Sequence, residues 1–270
     1  MPWDITTTLS FLFFIVGTVI GSFLNVVIFR FNTARSLGGR SACTSCLHKL
    51  SWYELIPLLS FLCLSGRCKN CKTRLSPIYP LVELLTGAIF LGLFLKFQDI
   101  FFISTVEFLL TYKYYALMFS FLLVVAFYDL RHRIIPDLFS FGFAALAFLG
   151  LFFYGPGAPY FDPHLPNTLQ FFSGIFLALP FALLWFVSGG KWMGLGDAKL
   201  ALGLGWFLGI PLALSATVLA FWIGALIAIS LVIFSPRYGM KSQIPFAPYL
   251  VLGALIAFIF NLNFFVLSFL

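Results

Sequence analysis

Apolar runs separated by short polar loops dominate the chain. They fall at roughly 8–31, 79–97, 104–128, 137–154, 168–188, 198–209, 212–234 and 245–269. A helix needs about 20 residues to cross a hydrocarbon core, and inside lipid only helices or closed barrels satisfy their own backbone groups. Runs this continuously apolar predict helices. The pattern therefore predicts an all-α polytopic membrane protein with about eight transmembrane helices. The weakest boundary is the break at Gly209, Ile210 and Pro211. If it is only a kink, the count drops to seven and the C-terminus changes side. The first run reaches Ile28 without a small-residue cleavage site and ends on Arg30, so it reads as a retained helix rather than a removed signal.

Composition agrees with this pattern and removes the soluble classes. The chain of 270 residues is 61% hydrophobic and 9% charged, with 37 phenylalanines, far from a soluble globular domain. Lipid is the expected surrounding. The formal net charge of +7 would suit nucleic acid, but its distribution argues against that partner. Eight of the sixteen basic residues (Arg30, Arg35, Arg40, Lys49, Arg67, Lys69, Lys72, Arg74) lie in or beside one polar segment, which the positive-inside bias places in the cytoplasm. Alternating the spans adds three cytoplasmic loops, holding Arg131 and Arg133, Lys191 and Lys199, and Arg237 and Lys241. The composition shift gives three divisions: a first helix over 1–31, a cytoplasmic module over 32–78, and a membrane domain over 79–270.

Within the module, Cys43 and Cys46 form one Cys-x-x-Cys pair and Cys68 and Cys71 a second. Two such knuckles supply four thiolates at the spacing of a zinc ribbon, and four protein ligands close the coordination sphere, which points to a structural ion. Disulfides are the competing reading, disfavoured in a reducing cytoplasm. Cys63 lies in the apolar stretch from Leu58 to Leu64 and reads as a small buried hydrophobe. His48 reads as an exposed loop histidine.

The chain has only nine acidic residues, and a carboxylate beside hydrocarbon marks function or pairing by default. Asp129 follows the third run and Asp197 opens the sixth, both at cytoplasmic helix ends in this topology. Two carboxyls at one depth would share a proton, one acting as general base for a water and the other as general acid. Alone, each has a plainer reading: Asp197 as a helix N-cap, Asp129 as a partner of Arg131 or Arg133. Gly189, Gly190, Gly194 and Gly196 before Asp197 read as a loop free to take positive φ. Glu83, inside the second run, either lines the bundle or pairs with a nearby cation. Asp137, after Pro136, reads as a first-turn helix residue.

These elements, in this order, resemble the type IV prepilin peptidase family of GxGD aspartic membrane proteases. Gly21, Ser22, Phe23, Leu24, Asn25, Val26, Val27, Ile28 and Phe29 are similar to its opening signature, followed by the knuckles with Ile56, Pro57, Leu58, Leu59 and Ser60 between them. Tyr79, Pro80, Leu81, Val82, Glu83 and Leu84 come next. Asp129 precedes Ile135, Pro136 and Asp137 as the family's first aspartate does. Gly194, Gly196, Asp197, Lys199 and Leu200 match its second motif. Ile244, Pro245, Phe246, Ala247, Pro248 and Tyr249 resemble a late stretch in which Ala247 stands for the usual glycine. The resemblance implies cleavage of prepilins and pseudopilins after a glycine at the cytoplasmic face of the bacterial inner membrane, with Asp129 and Asp197 as catalytic pair. It also implies N-methylation of the new N-terminus with S-adenosylmethionine, an activity associated with the cysteine module. Gly66 and Arg67 occupy the place of a Gly-Lys or Gly-Arg pair there, a candidate contact to a carboxylate of substrate or cofactor or, equally, a solvated charge on a zinc ribbon. The alternatives are a presenilin-like protease, a proton-coupled transporter and a non-catalytic zinc-bearing scaffold. The first leaves the knuckles and the opening signature unexplained. The second would favour acids near the midplane and repeat symmetry, whereas the acids here are expected at the cytoplasmic edge and no repeat shows. Against the third would count loss of function on single Asp→Asn changes with zinc and folding retained.

Overall fold

The computed structural model describes residues 5–33, 36–155, 161–235, 239 and 243–265. Arg35, Arg237 and Lys241 of the basic loops, and the end of the last apolar run, lie outside these residues. The described residues form eight α-helices and no strand. They are α1 (Ile5–Arg30), α2 (Leu59–Cys63), α3 (Ile78–Ile103), α4 (Thr105–His132), α5 (Asp137–Gly150), α6 (Thr168–Ser188), α7 (Leu195–Phe234) and α8 (Ala247–Phe260). The chain divides into two compact units, residues 1–99 and 100–270.

In the first unit α1 and α3 run antiparallel. Gly17 lies against Gly87 and Phe90, and Gly21 against Glu83 and Thr86. Small residues at such positions let helix backbones approach closely in lipid, where van der Waals contact replaces the hydrophobic effect as driving force. Phe29 stacks on Tyr79 at one end of the seam, their ring centroids 4.2 Å apart. The polar segment between the helices is built from turns. Isolated bridges join Ala42 to Lys49 and Arg67 to Arg74, a 3-10 turn covers Trp52–Leu55, and α2 follows.

The second unit packs α4, α5, α7 and α8 around an aromatic core. Phe207 of α7 meets Tyr115, Phe119, Phe143 and Phe258 with centroids 5.4–6.0 Å apart. Local signals set the helix ends. Asn167 and Gln170 exchange hydrogen bonds in a capping box that starts α6, a reciprocal satisfaction of two orphan donors. Pro136 precedes Asp137 at the start of α5, as the sequence predicts.

Among the described residues, five helices (α1, α3, α4, α6 and α7) are long and apolar enough to cross a membrane, while α5 and α8 are shorter apolar helices of 14 residues. The expected sixth and seventh spans together make up α7, whose 40 residues break at Gly209. There φ is 73° and ψ 165°, a backbone region almost closed to residues with a Cβ. Pro211 follows without an N–H to donate.

Candidate active site

Asp129 comes from the last turns of α4 and Asp197 from the first turn of α7, and the fold brings them together. They are 5% and 7% exposed, and the charge of Asp129 acts on the Asp197 carboxyl. Each carboxyl also faces a backbone N–H, that of Ala247 for Asp129 and that of Gly194 for Asp197. The start of α8 is thus part of the site. The N–H of Ala247 makes the contact, so alanine in place of glycine keeps the donor; the side chain itself is fully buried.

Asp197 is not the N-cap of its helix. Gly194 holds that position in extended backbone, at φ −77° and ψ 150°, and Asp197 is the third helical residue, its N–H bonded to Gly194 O at 3.2 Å. A side chain there can reach back to the N-cap N–H, as the third residue of a capping box does. The glycine expectation splits as well. Gly189 and Gly190 have positive φ, 59° and 77°, and close α6, whereas Gly194 and Gly196 do not. Gly196 serves close packing instead: a Cβ there would lie 2.8 Å from Cβ of Ile135. That contact clamps the segment after Asp129 onto the segment carrying Asp197. A second clamp was not visible in the sequence: Lys199 Nζ lies 2.6 Å from Asp137 Oδ1 and 5.1 Å from the centroid of the Phe141 ring.

The four knuckle cysteines converge, all their sulfurs lying within 4.8 Å of one another. Cys43 to Cys71 measures 3.8 Å and Cys46 to Cys68 3.9 Å, well beyond a disulfide bond. Zinc bound to sulfur at about 2.3 Å in a tetrahedron sets its sulfurs about 3.8 Å apart, so the donor set fits that geometry. The thiols are polarised unequally. The Thr73 hydroxyl and backbone N–H pull Cys71 down to about 6. The Cys71 backbone N–H favours the Cys68 thiolate, but burial and the Cys43 and Cys71 side chains push that thiol up to about 11. His48 stays outside the cluster as an exposed residue, 3.8 Å from Glu54. Cys63 is exposed rather than buried: it ends the single turn of α2, too short to bury every face.

Gly66 has φ 65°, and a Cβ there would strike the Phe61 ring at 2.9 Å. Its N–H bonds Phe61 O and its carbonyl accepts from Leu75, so it shapes the entry to the second knuckle. Arg67 is exposed beside it. Glu83 neither lines an open bundle nor pairs with a cation in the contacts described: it accepts the Leu58 N–H at 2.8 Å.

A helical membrane protein with a buried carboxyl pair in one unit and a four-cysteine cluster in the other is the class that fold and site define. Comparison narrows the class. The bacterial peptidase A24 N-terminal domain matches residues 15–97, and the type IV leader peptidase family matches residues 116–229. The prepilin leader peptidase/N-methyltransferase of Bacillus subtilis is 31% identical over 253 residues, which are 92% of this chain and 93% of that protein. Its namesake in Aeromonas salmonicida is 31% identical over 97% of this chain and 92% of its own. That of Myxococcus xanthus is 34% identical over 85% of this chain, which spans 65% of the Myxococcus protein. No solved structure matches. The chain belongs to the type IV leader peptidase family.

Proposed function

We propose that this chain is a bifunctional membrane enzyme that removes the leader of type IV prepilins and pseudopilins after a glycine, with Asp129 and Asp197 as the hydrolytic pair, and methylates the N-terminus it exposes. The observation that carries the reading is the meeting of two buried carboxyls from α4 and α7, each opposite a backbone N–H. Like charges so placed do not both ionise readily, so the pair holds one proton. The ionised member takes a proton from water as it attacks the scissile carbonyl, and the protonated member supplies the proton that the leaving amine needs. The backbone donors of Gly194 and Ala247 fix the two carboxyls in place. Lys199 is held by Asp137, which engages its ammonium with a carboxylate outside the pair.

The site faces the cytoplasm in this reading, supported by the basic residues in the loops that carry Arg131, Arg133, Lys191 and Lys199. The four cysteines hold one zinc ion, which ties the two knuckles together as a structural element. S-adenosylmethionine supplies the methyl group, with Gly66 and Arg67 as its candidate contacts. In this reading the cysteine module at 32–78 is associated with methylation, and the hydrolytic pair lies in the membrane domain at 79–270.

The test is leader removal by the full-length chain in membranes, followed by gel shift and by the mass of the mature N-terminus. Asp129→Asn and Asp197→Asn each keep side-chain shape and remove an acid, so each is expected to lower cleavage at least about 10³-fold, in the range of a lost catalytic acid or base. Cleavage at the wild-type rate by either variant would remove that residue from the mechanism.

A further inference from the structure

The seam between α1 and α3 carries polar groups that peptide hydrolysis leaves unused. A Cβ on Gly21 would lie 2.8 Å from Glu83 Cα, so the two helices meet closely here. Glu83 is 8% exposed, and its carboxylate accepts from the Leu58 N–H at 2.8 Å and from the Ser22 side chain. One helical turn nearer the cysteine module, Asn25 is 3% exposed. Its Nδ2 donates to Tyr79 O at 3.0 Å, while its Oδ1 is closed off from solvent with no donor among the described residues. Buried acceptors left without a donor are rare in folded proteins, and each calls for an explanation.

The segment held by Glu83 is strained. Leu58 has φ 59° and ψ −51°, and Leu59 N–H reaches Pro57 O at 2.6 Å. This is a three-residue γ-turn of the rarer hand. A branched residue keeps such a backbone only where its surroundings impose it, and these positions gather at binding sites. Here a carboxylate projecting from a membrane helix imposes it.

We propose that Glu83, Asn25 and Ser22 form a binding site for a primary amine, the α-amino group of a peptide whose following residues are apolar, and that Glu83 is the base that frees this amine for methylation. This rests on the methylation activity proposed above. The three groups offer a carboxylate, an unpaired amide oxygen and a hydroxyl, a set of acceptors matched to the three N–H donors of an ammonium. The seam lies at the end of two apolar helices, where a peptide with an apolar segment behind its amine would sit. The Glu83 carboxylate takes one proton from the ammonium and leaves a neutral amine with its lone pair free. The amine nitrogen then bonds to the methyl carbon of the sulfonium donor as the carbon–sulfur bond breaks, and that electron pair stays on sulfur. The product leaves as a methylammonium, and Glu83 returns its proton to water.

Binding to the intact chain in detergent, with no methyl donor present, tests the site. Two peptides of the mature substrate N-terminus serve as probes, one with a free amine and one N-acetylated. The wild type is expected to bind the free amine about tenfold more tightly, the scale of one charge-assisted hydrogen bond. Glu83→Gln is expected to lose that preference while still binding the acetylated peptide, and to methylate the free-amine peptide about 100-fold more slowly or worse. Leu58→Gly relaxes the turn without touching the carboxylate and is expected to retain the preference. Equal binding of both peptides by the wild type would overturn the proposal. So would a preference that persists in Glu83→Gln, or loss of acetylated-peptide binding in that variant, which would mark Glu83 as a fold residue only. A wild type that prefers the free amine yet methylates nothing would leave the amine site standing and remove the methylation reading.

Discussion

At the scale of single residues, the acid pair depends on neighbours that do no chemistry themselves. Ile135 presses on Gly196, and Asp137 holds Lys199, so residues following the first aspartate grip residues flanking the second. The ion pair is partly exposed, with Asp137 at 66%, and such pairs are worth about 0–1 kcal/mol. Lys199→Ala is therefore expected to lower kcat/KM for cleavage by less than about tenfold. Exchanging the charges, Asp137→Lys with Lys199→Asp, is expected to recover most of that loss. A double variant no better than the worse single variant would show that the pair does not act as a clamp. The sequence singled out Asp129 and Asp197 as candidates because acids are scarce among apolar runs. It could not expose their backbone partners, since the N–H groups of Gly194 and Ala247 are common to every residue but proline and only the fold selects these two.

At the scale of elements, the apolar pattern located the helices well. The first run was expected at 8–31 and is Ile5–Arg30, and the run at 168–188 is Thr168–Ser188. Polar caps and loops bound those runs sharply, which makes their ends legible. Where no polar residue marks a boundary, as at Gly209, only the glycine and proline hinted that one helix becomes two segments. The γ-turn at Leu58 left no local signal, because a contact from Glu83, distant in sequence, imposes it. The knuckles were legible for the opposite reason: the convergence of their four sulfurs is written in their spacing. They also carry their own test. Metal analysis of the purified chain is expected to find about one zinc per chain, and Cys43→Ser or Cys71→Ser to lower that stoichiometry, because a structural zinc site needs its four closed ligands. Full zinc content in both variants would show that the ion is held elsewhere.

At the scale of the whole molecule, the chain divides near residue 99, and the residues assigned to its two reactions fall on opposite sides of that division. Ser22, Asn25, the four cysteines and Glu83 precede it; Asp129, Asp197 and Ala247 follow it. Damage is therefore separable. In the proposed assignment, a copy carrying Asp197→Asn lacks the hydrolytic pair but keeps its amine seam, and a copy carrying Glu83→Gln lacks the seam but keeps the pair. Co-expressed in one membrane, the two are expected to yield cleaved and methylated substrate that neither produces alone, read from the mass of the mature N-terminus. A product that is cleaved but unmethylated would show that one copy does not pass its peptide to another. The genetic outcome expected of the proposed division is that two defective alleles make one working enzyme wherever the cut peptide is free to travel.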